Sequence, residues 1–224
     1  MHKLTSSLLA AAAGVLTLAA TGAQAQVRIT EVAPWASGNA PYTTDWFELT
    51  NFGSTAVSLS GWTMDDSSNG SAKVALSGIG SIAAGESVIF TENAAAASFL
   101  STWFGANAPA SLKSGTYTGA GVGLSTGGDA VNIFNASGVL QANVSFGTAD
   151  ATSPYQTFDN AAGLNGVTIS QLSVVGVNGA FVAANDVAEI GSPGSISAVP
   201  EPENLALALA ALGVIGLVAR KRQA

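Results

Sequence analysis

Four carboxylic acids lie in short apolar segments of this sequence: Glu31, Asp45, Glu48 and Asp65. Two carboxyl groups held roughly 5 to 9.5 Å apart across a cleft can hydrolyse a glycosidic bond. Short acidic side chains beside turns more often accept backbone N–H bonds and cap those turns. We therefore expect these four residues to serve the fold, and an extracellular carboxylate-dependent hydrolase of glycans or nucleic acids is the alternative.

Asp65 and Asp66 form an acidic doublet that offers two neighbouring carboxylates to a cation. Calcium prefers oxygen ligands of this kind. The sequence nevertheless lacks the Asp-x-Asp-x-Asp-Gly loop that commonly binds calcium. Calcium at this doublet is therefore a lesser alternative, which would make the protein a calcium-dependent hydrolase or a calcium-rigidified adhesin. We expect no other cofactor.

The rest of the composition excludes most familiar catalytic mechanisms. The one histidine is His2, and the chain has no cysteine. Serine–histidine and cysteine–histidine nucleophiles, zinc held by these residues, and redox thiol pairs all need those side chains. Without disulfides the fold must depend on its hydrophobic core, which a domain of this length can supply. We therefore expect a protein that is not an enzyme.

Acidic residues outnumber basic ones over residues 26–198. The three cations there are Arg28, Lys73 and Lys113, and three minus twelve anions gives a net charge of −9. Affinity for nucleic acid depends on neutralising phosphates with Lys and Arg. Nucleic acid is therefore not an expected partner.

The C-terminal residues combine three features in a fixed order. Val199-Pro200-Glu201-Pro202 leads into the apolar run Leu205 to Ala219, which ends at Arg220-Lys221-Arg222. As a helix the run would be about 22 Å long, shorter than the roughly 30 Å hydrocarbon core of a bilayer. Cations beside a membrane segment favour a cytoplasmic terminus. We therefore predict a linker over 196–204 and a short membrane helix with a basic end over 205–224.

This tail resembles the PEP-CTERM sorting signal of Gram-negative bacteria, in which a Pro-Glu-Pro box, a short membrane helix and a basic terminus occur in this order. The resemblance implies handling by an exosortase and cleavage near the box. The product would be released or re-anchored at the cell surface or in the extracellular biofilm matrix. Contact with the inner membrane would then be transient.

The N-terminal residues are typical of a secretory signal peptide. A basic residue precedes the apolar stretch Leu8 to Ala20, and the small residues Ala23 and Ala25 follow it. We expect signal peptidase to remove residues 1–25, so that the mature chain begins at Gln26.

Between the two ends, short runs rich in Val, Ile, Phe and Trp alternate with Gly, Ser, Asn and Asp. This pattern is typical of the strands and turns of a β-sandwich. The predicted strands are 27–32, 45–51, 57–59, 62–65, 74–76, 87–91, 130–134, 140–146, 168–174 and 181–182, with one more near Tyr117. A helix is predicted over 94–104, with Asn93 as its cap and Phe99 and Trp103 packed on one face.

The strand segments carry recognisable blocks of sequence. Asp45-Trp46-Phe47-Glu48-Leu49-Thr50-Asn51 is followed by Leu59-Ser60-Gly61-Trp62 and Asp65, and Ser192-Pro193-Gly194 closes the series. These blocks resemble a lamin-tail domain. The resemblance implies an all-β, immunoglobulin-like sandwich over residues 26–195.

The tryptophans of these blocks, Trp46 and Trp62, are expected in the core, where each buried ring contributes roughly 2 to 3 kcal/mol. Two export signals, an acidic surface and a fold without catalytic chemistry predict a non-catalytic binding or structural module of the cell envelope or exopolysaccharide matrix. A polysaccharide or an extracellular protein would be its ligand. Loop aromatics such as Trp35, Tyr42 and Tyr155 would hold that ligand by stacking.

Overall fold

The computed structural model describes residues 27–34, 44–67, 73–93, 95–149 and 153–195. The predicted signal-peptide residues Ala23, Ala25 and Gln26 lie outside these ranges, as does the predicted sorting tail from Val199 to Arg222. Within the described ranges, no helix has both the length and the apolar character needed to cross a membrane.

The described residues contain fifteen strands and one α-helix. In chain order these are β1 (Val27–Ala33), β2 (Trp46–Asn51), β3 (Val57–Ser58), β4 (Thr63–Asp65), β5 (Val74–Ala75), β6 (Ser81–Ile82), β7 (Ser87–Glu92), α1 (Ala96–Phe104), β8 (Lys113–Tyr117), β9 (Asp129–Phe134), β10 (Leu140–Phe146), β11 (Tyr155–Gln156), β12 (Phe158–Asp159), β13 (Val167–Ile169), β14 (Phe181–Ala183) and β15 (Asp186–Gly191). A 3-10 turn over Gly105–Asn107 follows α1 directly. The all-β prediction is confirmed.

Two five-stranded sheets pack face to face. The first has the order β12-β1-β2-β7-β8, and the second has the order β13-β10-β9-β4-β5. Most neighbouring strands are antiparallel, whereas β8 runs parallel to β7 and β13 runs parallel to β10. Side chains from both sheets, among them Phe47, Phe90, Val131 and Val144, form one continuous core. The chain therefore folds as the expected immunoglobulin-like β-sandwich.

A second apolar layer covers the outer face of the first sheet. Trp46 on β2 packs edge to face against Phe99 and Trp103 of α1, with ring centroids 5.3 and 5.7 Å away. Strands β11, β15 and β14 form a separate three-stranded sheet, and Phe181 on β14 lies 5.6 Å from Trp103. Both faces of β2 are consequently buried. The predicted core positions of Trp46 and Trp62 are confirmed, but the two rings belong to different clusters.

The predicted helix cap is wrong. Ala95, not Asn93, occupies the cap position of α1, and it makes no side-chain capping hydrogen bond. Asn93 adopts a left-handed backbone conformation with φ of 55°, and its N–H donates to the carbonyl of Tyr117 at 2.7 Å. Asn93 therefore ends the pairing of β7 with β8 instead of starting a helix. The sequence pattern also does not predict β12, which has two residues and pairs with β1 far away in the sequence, or β15, in which Asp186 and Glu189 interrupt the apolar pattern.

Replacing Trp103 tests how much the second apolar layer stabilises the fold. Trp103 is 1% exposed and its ring meets Trp46, Phe99 and Phe181. We expect Trp103→Ala to lower the free energy of unfolding by about 3–5 kcal/mol, because the layer can collapse only partly around the cavity. Val187→Ala, at a side chain that is 83% exposed, should change that free energy by at most about 0.5 kcal/mol. Urea denaturation followed by circular dichroism measures both, and equal midpoints would contradict the packing role.

Candidate functional site: a buried carboxylate clamp

A β-bulge in β1 brings two of the predicted acidic residues together. The register runs from the pair Ile29–Leu49 directly to the pair Glu31–Glu48, which leaves Thr30 as the extra residue. Ile29 packs in the inner core, whereas Thr30 and Glu31 both face the outer side of the sheet. Directly opposed residues of neighbouring strands share a face. The carboxyls of Glu31 and Glu48 are therefore neighbours beneath the second layer.

The two carboxyls hold the backbone of the last turn of the domain. The Ser192 N–H donates to Oε1 of Glu31 at 2.7 Å, and the Gly194 N–H donates to Oε2 of Glu48 at 2.6 Å. The hydroxyl of Thr157 donates a second hydrogen bond to Oε1 of Glu31. We call Glu31 and Glu48, with these donors, the carboxylate clamp.

Burial raises the pKa of both clamp carboxyls. The pKa of Glu31 rises from its ordinary 4.5 to about 8, mainly because burial disfavours the charged form and then because of the neighbouring Glu48 charge. Burial raises the pKa of Glu48 to about 7, against the opposing effect of hydrogen bonds from Thr30 and Gly194. Oε2 of Glu31 is buried without a hydrogen-bond partner in the described part of the chain. A proton on Glu31 removes the charge that would be costly to bury there.

None of the described cations balances the clamp. Lys113 pairs with Glu86 at 2.8 Å, and Nζ of Lys73 lies 3.5 Å from the centroid of the Phe134 ring. Arg28 donates to backbone carbonyls. A doubly ionised clamp would therefore carry both its desolvation cost and its own repulsion without compensation.

The clamp shares two features with a glycosidase site, namely neighbouring carboxyls and a raised pKa, but it lacks access. Glu31 is 0% exposed and Glu48 is 1% exposed. A catalytic acid must come within hydrogen-bond distance of the atom that it protonates. A glycan outside the protein cannot approach either carboxyl that closely. The role visible in this geometry is to close the domain.

Asp45 and Asp65 accept backbone N–H groups, as the sequence predicts. Oδ2 of Asp45 accepts from the Leu124 N–H at 2.8 Å, and Oδ1 of Asp65 accepts from the Asp66 N–H at 3.0 Å. In the described ranges, no three His, Cys, Asp or Glu side chains lie together as a metal site. Calcium at Asp65 and Asp66 would thus need carbonyl ligands in place of a third acid, and it stays a prediction.

The structure places one of the three predicted stacking aromatics. Trp35 and Tyr42 lie outside the described residues. Tyr155 lies in β11, opposite Glu189 of β15, and its ring is partly buried against the second apolar layer. The expectation of an exposed loop position is therefore wrong for Tyr155, because pairing with β15 holds it in a sheet. Ligand stacking on these aromatics stays a prediction.

The sequence predicts Glu31 and Glu48 as residues of the fold, but it does not predict that they form a unit. The bulge that makes them neighbours depends on a strand register that the sequence pattern does not reveal. Thr157 lies in a stretch without any recognised block. The closing block Ser192-Pro193-Gly194 is the sequence signal that bears on the clamp. Proline has no N–H, so in this block Ser192 and Gly194 are the two backbone donors.

The clamp predicts a domain that loses stability as the pH rises. Both pKa values are raised in the folded state, so the folded chain binds more protons than the unfolded chain between about pH 4.5 and 8. The free energy of unfolding should therefore fall over this window by several kcal/mol.

Urea denaturation at pH 5 and pH 8 measures this effect. Glu31→Gln should weaken the pH dependence, because an amide keeps the acceptor for Ser192 and removes one titrating group. Glu86→Gln, at an exposed ion pair with Lys113, is the matched control and should retain the dependence. Stability that rises with pH in the unmodified protein would contradict a protonated clamp.

Residues 20–148, more than half of the chain, match the family description Lamin Tail Domain. No curated protein and no solved structure matches the chain. The match includes both clamp glutamates and the blocks around Trp46 and Trp62, and the two packed sheets are the fold of this family of binding and structural domains. On the strength of that match and that fold, this chain belongs to the lamin tail domain family.

Proposed function

We propose that this protein is an exported, non-catalytic binding or structural module of the cell envelope or exopolysaccharide matrix of a Gram-negative bacterium. Signal peptidase would process its N-terminus, and an exosortase would process its C-terminus. The proposal combines the two terminal sequence signals with a domain whose family consists of binding and structural modules.

One observation carries the proposal: the fold itself uses the side chains that could do chemistry. Glu31, Asp45, Glu48 and Asp65 are all at most 1% exposed. The first three accept hydrogen bonds from chain segments far away in the sequence. Such groups position the backbone and do not meet substrates. The domain would therefore act by binding partners at its surface.

A polysaccharide or an extracellular protein suits this surface better than a nucleic acid does. The mature region has three cations against twelve anions, which leaves little charge to neutralise phosphates. Neutral sugars are held by stacking on aromatic rings and by hydrogen bonds to amides and hydroxyls. We propose Trp35 and Tyr42 as the first stacking residues, with the partly buried Tyr155 as a lesser contributor.

The hydrolase alternative finds little support in the described residues. The clamp is the pair of carboxyls whose pKa values are strongly raised there, and it is buried. The calcium-rigidified adhesin likewise has no group of three acidic ligands in these ranges. Neither alternative is favoured by a specific observation.

The mass of the mature protein from the native host tests the sorting proposal. We expect a C-terminus between Val199 and Glu203 and an N-terminus at Gln26, measured by mass spectrometry of the secreted and membrane fractions. An N-terminus at Gln26 reports export independently of the tail. A mature chain that still ends at Ala224 would contradict processing by an exosortase.

Replacing Trp35 tests the binding proposal. We expect Trp35→Ala to weaken the affinity for matrix polysaccharide by roughly three- to tenfold, because a stacking ring contributes beyond its buried area. Leu164→Ala, at an apolar side chain that is 54% exposed, is the control and should bind as the unmodified protein does. Isothermal calorimetry on polysaccharide from the host measures both variants, and equal affinities would remove Trp35 from the binding site.

A further inference from the structure

Valines are exposed in a segment that carries no charge. Val174, Val175, Val177 and Val182 are between 40% and 53% exposed. The stretch 173–185, which we call the valine segment, contains no Asp, Glu, Lys or Arg. Single exposed apolar residues are ordinary on protein surfaces, whereas a local group of them marks an interaction surface.

Hydrogen bonds hold the valine segment in shape. The Val177 N–H donates to the carbonyl of Val174 at 2.9 Å, which closes a turn. The side chain of Asn178 donates to Oδ2 of Asp159 at 2.7 Å and so ties this turn to β12. The valines are therefore presented on a preformed loop, and little conformational entropy is lost when a partner covers them.

The chain leaves the domain beside this segment. The hydroxyl of Ser195 donates to the carbonyl of Gly179 at 3.4 Å. A Cβ placed on Gly179 would lie 2.7 Å from the Cβ of Ser195, so the two backbones approach closely. Ser195 is the last described residue before the tail. Whatever surrounds the start of the tail is thus within reach of the valines.

The sequence of the tail indicates what these surroundings are. Nine residues, 196–204, connect Ser195 to the apolar run Leu205 to Ala219, and three cations follow that run. A connection of this length reaches at most about 35 Å when fully extended. As the predicted membrane helix, this run would enter lipid and would hold the valine segment within that distance of the membrane surface.

We propose that the valine segment rests on the lipid bilayer while the apolar tail is inserted in it. This inference depends on the membrane-bound stage of the proposed function. The four valines are too few to hold a free domain on a membrane. Tethering by the tail makes the contact intramolecular, so a weak contact is enough.

A second copy of the chain fits this surface less well. A stable protein interface buries roughly 800 Å² on each partner, and four half-exposed valines supply only part of such an area. The uncharged character of the segment also suits lipid, because the mature region is acidic and lipid contact leaves its charges in water. Lipid is therefore the occupant that the charge and the tail both favour.

The absence of cysteine from the chain allows single-site labelling of the full-length protein. An environment-sensitive fluorophore such as NBD is attached at Val175→Cys, at Val139→Cys or at Leu212→Cys, and each protein is reconstituted into phosphatidylcholine vesicles. Val139 is the matched control, because it is 56% exposed while Val175 is 53% exposed. Leu212 lies in the apolar run and reports whether the tail is inserted. Circular dichroism checks that each variant is folded.

We expect the label at position 175 to brighten roughly twofold or more in vesicles and to lose quenching by aqueous iodide, while the label at position 139 stays in water. A label at 175 that behaves like the one at 139 would overturn the inference. If the label at 212 is shielded in that case, the tail is inserted and only the inference about the valine segment is wrong. If the label at 212 is also in water, the tail is not inserted, and the membrane-bound stage of the proposed function and the inference are both wrong. Shielding at 175 that appears without vesicles and grows with protein concentration would assign the surface to a second copy, and it would also overturn the inference.

Discussion

Two glutamates buried side by side, with no cation against them among the described residues, are the constraint on which the outer half of this domain depends. A carboxyl removed from water is stabilised by hydrogen bonds or by a proton, and Glu31 and Glu48 both accept backbone hydrogen bonds and both have a raised pKa. Their backbone donors, Ser192 and Gly194, come from the far end of the domain. The requirement to satisfy two buried acids therefore fixes where β15 ends and where the last turn lies.

The clamp and the second apolar layer together cover the outer face of β2. An antiparallel sheet usually leaves one face in water, but both faces of β2 are buried here. On the outer face of β2, Trp46 packs against helix α1. Glu48 lies two residues further along the strand on the same face, where its carboxyl accepts the hydrogen bond from the Gly194 N–H of the last turn. Apolar packing and hydrogen bonding thus cover neighbouring positions of one strand. This second layer adds buried surface to a domain that has no disulfide.

The same arrangement bears on function. Acidic and aromatic side chains that could have formed a reactive site are used to join distant parts of the chain, which agrees with membership of a family of binding and structural domains. Eight of the twelve anions of residues 26–198 are buried, so the described surface carries fewer charges than the composition alone predicts. Its most apolar exposed segment lies where the chain departs from the fold through Ser195. Function in such a module depends on which surface meets which neighbour.

Patterns within short stretches of sequence determined the all-β class, most of the longer strands, the helix around Phe99 and Trp103, and the structural use of the acids, because alternation and turn residues are local signals. Local signals did not determine the bulge at Thr30, the left-handed Asn93, the strand position of Tyr155 or the short strand β12. Each of these depends on a partner far away in the chain, and one residue of register reverses the face to which a side chain points. The sequence by itself therefore identified Glu31 and Glu48 as residues of the fold, and only the tertiary structure made them a neighbouring pair with raised pKa values, because their burial and their proximity arise only when β1, β2 and the last turn come together.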